Sequence, residues 1–544
     1  MKFIKIVLLF ISFVSLTQAQ VTNEGVPYSF KLKQKKSIES IKMPGFDLMK
    51  IREEDKINDK DRAKPWRFGY EFNVDYGMKN AGTWDEVADK GRIWRILIES
   101  EGAKTLNFVF NKYQVPTGAS VYLYNDDKTD LLGAYTNVFN RPDEMLGTWT
   151  VEGEKVWIEY FEPNSVKGQG NLNISKVVHG YRSVTESDLI AKGLNDSGDC
   201  NRDVNCTVGN DFDAIKDELK KAVGFIILNG FVCSGTLINN TNNDGAPYFL
   251  TANHCDEGSH STWAFRFNWI SPNPSCATTT NSTDAAINQT TSGATVLAVN
   301  SESDVKLLRL DGGLDDSWDL EWAGWDRSGN VPDFVVGIHH PSGDIMKVCR
   351  ENQSPSITTI DFNGNPTTEV WRIEDWDLGV TEGGSSGSAL FDSTGRIIGQ
   401  LAGGLAACQG TNDNNQFDVY GRFDVSWGFG NTSGSRLSDW LDPLGTNQMT
   451  LDMLGTNPNP PTNNPDSGIV YPNPSYNGIF VITNPEGEMV VFRVYDLSGS
   501  LVVEGNVDIT NNEIDISAQR SGLYFVELDY QNSGKTVTKK IIYP

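Results

Sequence analysis

The chain has 544 residues, and its 71 acidic and 46 basic side chains give a formal net charge of −25 with a pI near 4.6. No basic patch offsets this charge, which argues against nucleic acid or an anionic membrane surface as a partner. The length predicts three or four domains, and the residue patterns described below predict an all-β protein.

Residues 1–19 have the pattern of a secretory signal peptide. Lysines at positions 2 and 5 precede an apolar run over 6–16, and small residues lead to a cleavage point near Ala19. The apolar run is shorter than the roughly 18 residues that a membrane-spanning helix requires. We therefore expect a secreted or cell-surface protein.

Residues 20–192 contain no cysteine and have the alternating pattern of β-strands. Strands are predicted at 94–98, 105–110, 120–124 and 155–160. Because this segment lies between a signal peptide and a cysteine-bearing region, we predict a β-rich propeptide that assists folding and blocks an active site. An ordinary accessory β-domain is the alternative.

The predicted propeptide ends at Lys192, within the polar stretch 191–198. A lysine followed by a glycine in an exposed linker is a site that a lysine-cleaving protease could process itself. We therefore predict a cut between Lys192 and Gly193, which would make the propeptide a partner of the domain that follows it.

All seven cysteines lie between residues 200 and 408. In an exported chain, cysteines confined in this way mark one disulfide-stabilised domain. Their spacing does not show which pairs form. The odd number leaves at least one cysteine unpaired or bridged to another chain.

A Gly/Ser-rich motif, Thr381-Glu-Gly-Gly-Ser-Ser-Gly-Ser-Ala389, is typical of a loop that presents a reactive serine. Its glycines permit backbone angles closed to other residues, so the N–H groups of Gly384 and Ser386 can point at a developing oxyanion. Ser385 also fits the G-x-S-x-G elbow, but that triad places its histidine after the serine. All five histidines precede the motif, which favours Ser386 in the order histidine, aspartate, serine.

Two upstream segments supply the other members of that order. His254 ends an apolar β-type segment, and an imidazole is the natural general base for a serine hydroxyl. Asp304 opens an alternating strand, where a carboxylate can orient an imidazole. Asp311, Asp315 and Asp316 are alternatives, but they lie in a Gly/Asp turn where solvated side chains are expected.

Eight motifs follow one another through residues 193–455: Thr251-Ala-Asn-His-Cys255, Ser303-Asp-Val-Lys-Leu-Leu308, Ala323-Gly-Trp-Asp326, Ile338-His-His-Pro341, Thr381-Glu-Gly-Gly-Ser-Ser-Gly-Ser388, Gly399-Gln-Leu401, Tyr420-Gly-Arg422 and Ser435-Arg-Leu-Ser-Asp-Trp-Leu-Asp442. In this order they resemble the bacterial lysyl endopeptidase family of secreted, trypsin-fold serine proteases. The resemblance implies a double β-barrel of the chymotrypsin type with its site between the barrels. It also implies a triad of His254, Asp304 and Ser386, with the amides of Gly384 and Ser386 as the oxyanion hole.

The same resemblance implies three disulfides. The implied pairs are Cys200 with Cys408, Cys206 with Cys276, and Cys233 with Cys255. Cys349 is then the odd cysteine, and we expect it to be buried and inert.

A protease that cuts after lysine needs a carboxylate in its primary pocket, because the ammonium group loses hydration there and must be paired. The segment after Cys408 offers Asp413 and Asp418; the family's pocket aspartate matches Asp418, whereas Asp413 fits a surface loop. We predict a monomeric endopeptidase that cuts proteins or peptides after lysine and needs no cofactor. The alternatives are the same fold with Lys/Arg or other selectivity, and a catalytically weak surface-binding protein.

Three features depart from related proteases. Ala402 stands where the family has a histidine thought to tune the triad, so the activity or its pH profile could differ. The tryptophan expected near the site is either Trp376 or Trp371. Ser385 stands where vertebrate trypsins have an aspartate that pairs with the new N-terminus, so we expect activation through removal of the propeptide.

The histidines do not indicate a metal site. The five are dispersed, without H-E-x-x-H or another ligand spacing. His339 and His340 belong to a family segment without a catalytic role and are interpreted as structural.

The chain ends in a separate β-rich segment after a Pro/Asn-rich linker at 456–468. Short strands typical of a small β-sandwich are predicted at 489–495, 514–516, 522–527 and 536–542. Four motifs resemble the C-terminal sorting domain of type IX secretion cargo in Bacteroidetes: Val470-Tyr-Pro-Asn-Pro474, Val494-Tyr-Asp-Leu-Ser-Gly499, Ser521-Gly-Leu-Tyr-Phe525 and Lys539-Lys-Ile-Ile542. The resemblance covers 469–544 and implies the type IX secretion machinery as a partner. A carbohydrate-binding sandwich is the alternative.

Overall fold

The computed structural model describes residues 25–32, 36–60, 64–182, 197–280, 282, 289–360, 368–454, 470–471, 478–482, 490–496, 500–507, 513–520, 522–530 and 536–543. The predicted signal peptide, the Lys192–Gly193 cut and the linker 456–468 lie outside the described residues. The chain forms two compact units, Met1–Thr456 and Asn457–Pro544. Below, residues 25–182 are the N-terminal region, 197–454 the central region and 470–543 the C-terminal region. The secondary structure is mostly β, as predicted.

The N-terminal region contains two sheets and one helix. Its elements are β1 (Ile41–Lys42), α1 (Leu48–Asn58), β2 (Trp66–Arg67), β3 (Gly69–Gly77), β4 (Thr83–Val87), β5 (Gly91–Glu99), β6 (Thr105–Gln114), β7 (Ser120–Asn125), β8 (Leu131–Tyr135), β9 (Leu146–Gly147), β10 (Val151–Glu152), β11 (Lys155–Pro163) and β12 (Asn171–Gly180). One sheet has the order β1-β5-β11-β7-β8 with β4 on β5, and the other has the order β10-β6-β12-β3 with β9 on β6. The four strands predicted here are confirmed as β5, β6, β7 and β11.

The central region continues with a longer series of strands and three short helices. Its elements are β13 (Arg202–Asp203), α2 (Asp213–Leu219), β14 (Val223–Leu228), β15 (Phe231–Leu237), β16 (Tyr248–Ala252), β17 (Ala264–Phe267), β18 (Gln289–Ser292), β19 (Ala294–Asn300), β20 (Val305–Leu310), β21 (Trp325–Asp326), β22 (Val335–His339), β23 (Lys347–Glu351), β24 (Ser356–Ile360), β25 (Thr368–Ile373), β26 (Ala389–Phe391), β27 (Ile397–Gly404), β28 (Cys408–Gln409), β29 (Asn412–Asp413), β30 (Asp418–Arg422), α3 (Phe423–Trp427), α4 (Ser438–Leu441) and β31 (Thr450–Leu451).

Two large sheets organise the central region. The first has the order β18-β17-β14-β15-β16-β20-β19 and takes up β2 of the N-terminal region on β15. The second has the order β13-β23-β22-β26-β27-β30-β25-β24, with β21 on β27 and β31 on β21, and β28 pairs separately with β29. His254 and Asp304 flank strands of the first sheet, whereas Ser386 lies in the loop before β26 and Asp418 begins β30, both strands of the second sheet. The closure of each sheet into a barrel stays a prediction.

The N-terminal region shares a buried apolar core with the first sheet of the central region. The ring of Trp149 lies 5.5 Å from that of Phe225 and 6.2 Å from that of Trp269, measured between centroids. Val232 of β15 belongs to the same core. Apolar burial therefore joins the two regions into one compact unit.

The C-terminal region contains two small sheets. Its strands are β32 (Val470–Tyr471), β33 (Ile479–Ile482), β34 (Val490–Tyr495), β35 (Leu501–Val507), β36 (Glu513–Asp515), β37 (Gly522–Tyr530) and β38 (Thr536–Tyr543). Their orders are β32-β33-β36 and β35-β34-β37-β38. Phe480 and Ile514 of one sheet and Val494 of the other belong to one apolar cluster, an arrangement compatible with the predicted sandwich.

Short 3₁₀ helices complete the described structure, at Tyr28–Lys31, Asn137–Phe139, Asn164–Val166, Lys220–Ala222, His260–Thr262, Asp316–Trp318 and Pro341–Gly343. Within the described ranges, no helix has both the length and the apolar character needed to cross a membrane.

Candidate active site

His254 and Asp304 lie where two neighbouring strands meet. β16 ends at Ala252 and β20 begins at Val305, and these two residues are partners in the antiparallel pair. Nδ1 of His254 is 2.8 Å from Oδ2 of Asp304, and the backbone N–H of His254 donates to Oδ1 at 2.9 Å. The two side chains are only 8% and 5% exposed. The carboxylate thus orients the ring, with the Nδ1 proton directed at Asp304.

Asp304 is itself held by backbone contacts that sequence patterns did not indicate. Its φ of +54° is left-handed, and its carbonyl accepts a hydrogen bond from Asn253 N at 2.8 Å. Nε2 of Gln400 donates to the carbonyls of Ser303 and Asp304 at 2.9 and 3.1 Å. Because Gln400 lies in β27, this side chain joins the second sheet to the first beside the carboxylate.

The loop around Ser386 has glycines where its backbone requires them. φ is +95° at Gly384 and +83° at Gly387, conformations that favour glycine. The carbonyl of Gly384 accepts a hydrogen bond from Oγ of Ser234 at 3.0 Å. No acceptor in the described part of the chain receives a hydrogen bond from the N–H of Gly384 or Ser386. These two amides are therefore available to an oxyanion.

Ser386 packs against the segment that carries His254. Its carbonyl accepts a hydrogen bond from Ser234 N at 2.9 Å and lies 3.7 Å from Sγ of Cys255. A Cβ on Gly387 would lie 2.1 Å from Oγ1 of Thr251, two residues before Asn253. Nε2 of His254 is buried, and no group in the described ranges, the Ser386 hydroxyl included, hydrogen-bonds to it. Bonds between a nucleophile and its base often form only when substrate is present.

A second serine–histidine pair supports the same loop. Nδ1 of His339 is 2.8 Å from Oγ of Ser385, and that oxygen also accepts the backbone N–H of Glu382 at 3.1 Å. Burial, with smaller contributions from His340 and Lys347, lowers the pKa of His339 to about 3, so its ring is neutral. A hydroxyl has one proton and two lone pairs, so Oγ can accept from Glu382 and bond to Nδ1 at the same time. Ser385 thus anchors the loop through uncharged hydrogen bonds.

Asp418 begins β30 and is 2% exposed. Nε1 of Trp376 and Oγ1 of Thr381 donate to its Oδ2 at 2.8 and 2.6 Å. Since Thr381 opens the Ser386 loop, the carboxylate adjoins that loop. A Cβ on Gly404 would lie 2.0 Å from Oδ1, so only glycine leaves room beside this oxygen. Ala402, on the same strand as Gly404, is fully buried.

The structure separates several alternatives that the sequence left open. Trp376 contacts Asp418, whereas Nε1 of Trp371 donates to a backbone carbonyl of β27. Asp413 is half-buried and accepts a backbone N–H of its own loop, as expected for a loop acid. Asp311 is exposed and binds a neighbouring arginine, so among the described aspartates Asp304 is the one that contacts the histidine.

The structure contains the disulfides that the family resemblance implies. They are Cys200–Cys408, Cys206–Cys276 and Cys233–Cys255. The last joins β15 to the residue after His254. Cys349 is unpaired and buried, and burial raises the pKa of its thiol, so the thiolate is disfavoured. Among the residues that the structure describes, no group of three or more His, Cys, Asp or Glu could hold a metal ion.

Comparison with known proteins identifies two domains. Residues 194–421 match the family model for the lysyl endopeptidase C-terminal domain, and residues 469–543 match that for the secretion system C-terminal sorting domain. A lysyl endopeptidase of Pseudomonas aeruginosa is 26% identical over 360 residues, which are 62% of this chain and 75% of that protein. An inactive serine-to-alanine mutant of Rv3671c from M. tuberculosis H37Rv covers 38% of this chain and 84% of its own, at 18% identity and a TM-score of 0.26, a similarity too low to inform the fold. The central region is thus similar to the lysyl endopeptidase domain and is of the protease kind, and the sorting domain that follows it indicates export, as a secreted or cell-surface protein.

Proposed function

We propose that the protein is a serine endopeptidase that hydrolyses peptide bonds on the carboxyl side of lysine. The hydrogen bond between His254 and Asp304, beside a loop that offers the Ser386 hydroxyl and two amides without an acceptor among the described residues, supports this proposal above all else. The match to the lysyl endopeptidase family supports both the chemistry and the choice of lysine.

The three side chains have separate roles in the proposed reaction. With its proton on Nδ1, neutral His254 presents an unprotonated Nε2, which takes the proton of Ser386 as Oγ attacks the substrate carbonyl. The amides of Gly384 and Ser386 stabilise the negative charge that develops on the carbonyl oxygen. Asp304 stabilises the imidazolium, which then protonates the leaving amine. In the second half of the reaction, water attacks the acyl carbonyl while His254 takes its proton, and His254 then returns a proton to Oγ of Ser386 as the acid product leaves.

The lysine specificity is assigned to Asp418. Its carboxylate is buried, so an ammonium group that enters the pocket exchanges its hydration for a direct charge-assisted contact. Trp376 and Thr381 hold Oδ2, while Gly404 leaves room beside Oδ1. A neutral side chain cannot supply a positive charge to the buried carboxylate, and an acidic side chain would be repelled by it, so both bind less well than lysine.

A digest of one unstructured protein tests these assignments. The processed enzyme is expected to cut only after lysine, and Ser386→Ala to make no cuts, as read by mass spectrometry of the products. Asp418→Asn should lower kcat/KM at lysine by roughly 10²- to 10³-fold, because a buried ammonium then lacks its counter-charge. Asp413→Asn, the matched loop variant, should act like the unaltered enzyme. Cuts after arginine, glutamate or apolar residues would be compatible with Ser386 as the nucleophile, but they would overturn Asp418 as a lysine-selective group.

We further propose that residues 20–192 are a propeptide, that the enzyme severs them from the protease domain by its own cut at Lys192–Gly193, and that it acts as a monomer. The lysine at this boundary matches the proposed specificity. Sequencing the N-terminus of the secreted protein tests this: Gly193 is expected, and Ser386→Ala should retain the uncut chain. A Ser386→Ala chain that is still cut at Gly193 would show that another protease does the processing.

A further inference from the structure

A buried lysine, Lys306, belongs to the strand that follows the carboxylate of the candidate site. It lies in β20, and its side chain is 2% exposed. Its Nζ donates to the carbonyl of Cys255 at 2.8 Å and to Oδ1 of Asp256 at 2.7 Å, and it lies 3.2 Å from Nε2 of His260. An ammonium group has three N–H bonds, so these three acceptors use all of them. All three belong to the segment that directly follows the proposed base.

The third contact fixes the state of His260. A lysine ammonium donates but cannot accept, so Nε2 of His260 accepts and the proton of the neutral ring is on Nδ1. Burial, and then the neighbouring Lys306, lowers the pKa of His260, which favours this neutral ring. Trp263 contacts both groups, since its ring centroid is 4.3 Å from that of His260 and 5.2 Å from Nζ of Lys306. The ammonium group is therefore held between this segment and a fully buried aromatic ring.

These contacts link the base to its carboxylate by a second route. The direct route is the pair of hydrogen bonds from His254 to Asp304. The second route runs from Cys255, the residue after the base, through the ammonium group to β20, which begins directly after the carboxylate. Because Lys306 also binds Asp256, the segment cannot turn away from β20 without losing charge-assisted hydrogen bonds. Lys306 thus restrains the direction in which the base presents its ring.

The charge of Lys306 also acts on the candidate site. Burial lowers its pKa, and two carboxylates, first that of Asp256 and then that of Asp304, oppose this shift. Asp256 is 59% exposed and pairs with the ammonium group, so the two opposite charges largely offset each other at His254. Removing either partner would leave the other charge to act on the imidazolium that forms in the proposed reaction.

A further carboxyl group, that of Glu257, lies near this pair. Burial raises its pKa, with smaller contributions from Glu71 of the N-terminal region and from Asp256. Glu71 forms an ion pair with Lys176 of the same region. Because these two charges offset each other, they change little for Lys306 whether or not the N-terminal region is present.

We propose that Lys306 is a positioning residue for the reaction: it restrains the segment after the base, and its charge, balanced by Asp256, sets the acid limit of activity. This inference rests on the proposed function, in which His254 is the base. Lys306 acts through that residue and through the segment that follows it, without a contact to substrate. It therefore affects how fast bound peptide is cut rather than how tightly it binds.

The test compares variants of the processed enzyme in kcat, KM and the pH profile of kcat/KM on one lysyl peptide. Lys306→Met keeps a long side chain but removes the ammonium group, so we expect kcat to fall about 10- to 100-fold with KM nearly unchanged. Its acid limb should move to higher pH by about 0.5, because the imidazolium loses a neighbouring cation. Asp256→Asn keeps an acceptor for Lys306 but removes the anion, so its acid limb should move to lower pH by about the same amount.

Lys216→Met is the matched control. The side chain of Lys216 is 3% exposed and also donates to a cysteine carbonyl, that of Cys206, and to an aspartate, Asp213, but it lies in α2. We expect this variant to lower the free energy of unfolding as Lys306→Met does, because both leave buried acceptors without a donor. Its kcat and the acid limb of its pH profile should match those of the unaltered enzyme.

The direction of the two shifts decides the outcome. Acid limbs that coincide, or that move the same way in Lys306→Met and Asp256→Asn, would overturn the inference, as would equal kcat values for Lys306→Met and Lys216→Met. If Lys306→Met does not fold, Asp256→Asn decides alone, because its exposed side chain can be replaced without disturbing the core. An unaltered enzyme that does not cut the lysyl peptide would instead overturn the proposed function.

Discussion

His339 bonds to the Ser386 loop and the residue after His254 contacts it, but the two histidines have partners of opposite character. His254 has a carboxylate on Nδ1, whereas His339 is fully buried and faces a serine hydroxyl, so burial lowers its pKa to about 3. An imidazole beside a carboxylate can carry a proton during a reaction, and one buried beside a hydroxyl cannot. The carboxylate of Asp304 would therefore allow His254 to act as a base. His339 has no carboxylate partner on Nδ1, so its neutral ring only supports the loop.

Replacing Asp304 removes the carboxylate that distinguishes His254 from His339, and it should have the largest effect on kcat. Asp304→Asn keeps the shape but no longer favours the Nδ1 proton or stabilises the imidazolium, so kcat should fall about 10⁴-fold. Steady-state hydrolysis of a lysyl peptide measures this. Asp311→Asn, at an exposed aspartate after the same strand, should behave like the unaltered enzyme. Equal losses in both variants would contradict the role of Asp304.

Removing the Ser385 hydroxyl tests whether its bond to His339 supports the loop. Ser385→Ala leaves both the His339 ring and the Glu382 N–H without their partner, so we expect kcat to fall roughly 10- to 100-fold with little change in KM. Ser388→Ala is the matched control, because the buried Ser388 hydroxyl has no hydrogen-bond partner among the described groups. Equal kcat values in the two variants would show that the loop does not depend on Ser385.

The pH dependence of stability should show the effect of the buried ring of His339. In the folded protein the pKa of His339 is about 3, lowered from 6.5 mainly by burial, so the unfolded state binds the proton first. The free energy of unfolding is therefore fully retained above about pH 6.5 and falls as the pH drops towards 3, by up to about 1.4 kcal/mol per pH unit from this group. His339→Gln should flatten that decline in denaturant unfolding measured from pH 7 to pH 4. Parallel curves for the two proteins would contradict this.

Local sequence patterns predicted part of the candidate site. The end of an apolar strand marked His254, the start of another marked Asp304, and the glycines around Ser386 indicated a loop with unusual backbone angles. The structure places the first two in contact and gives the glycines positive φ. The order of these segments along the chain also excluded Ser385 as an elbow nucleophile.

Contacts between distant segments were not predictable in the same way. Periodicity shows which face of a strand is buried, but it does not show which side chain of another sheet it meets. The choice between Trp376 and Trp371 therefore needed the bond from Trp376 to Asp418. The contact of Gln400 with Asp304, and that of Trp66 with Gly383, join segments whose local sequence contains no signal for them.

The apolar core shared by the N-terminal and central regions bears on the timing of maturation. A cut at Lys192–Gly193 would break one peptide bond and leave Trp149 packed against Phe225 and Trp269. Cohesion of this kind does not depend on chain continuity, so the two fragments should remain a noncovalent complex. We expect activity to lag behind the cut, since dissociation or degradation of the N-terminal fragment, rather than cleavage itself, would determine when long substrates gain access.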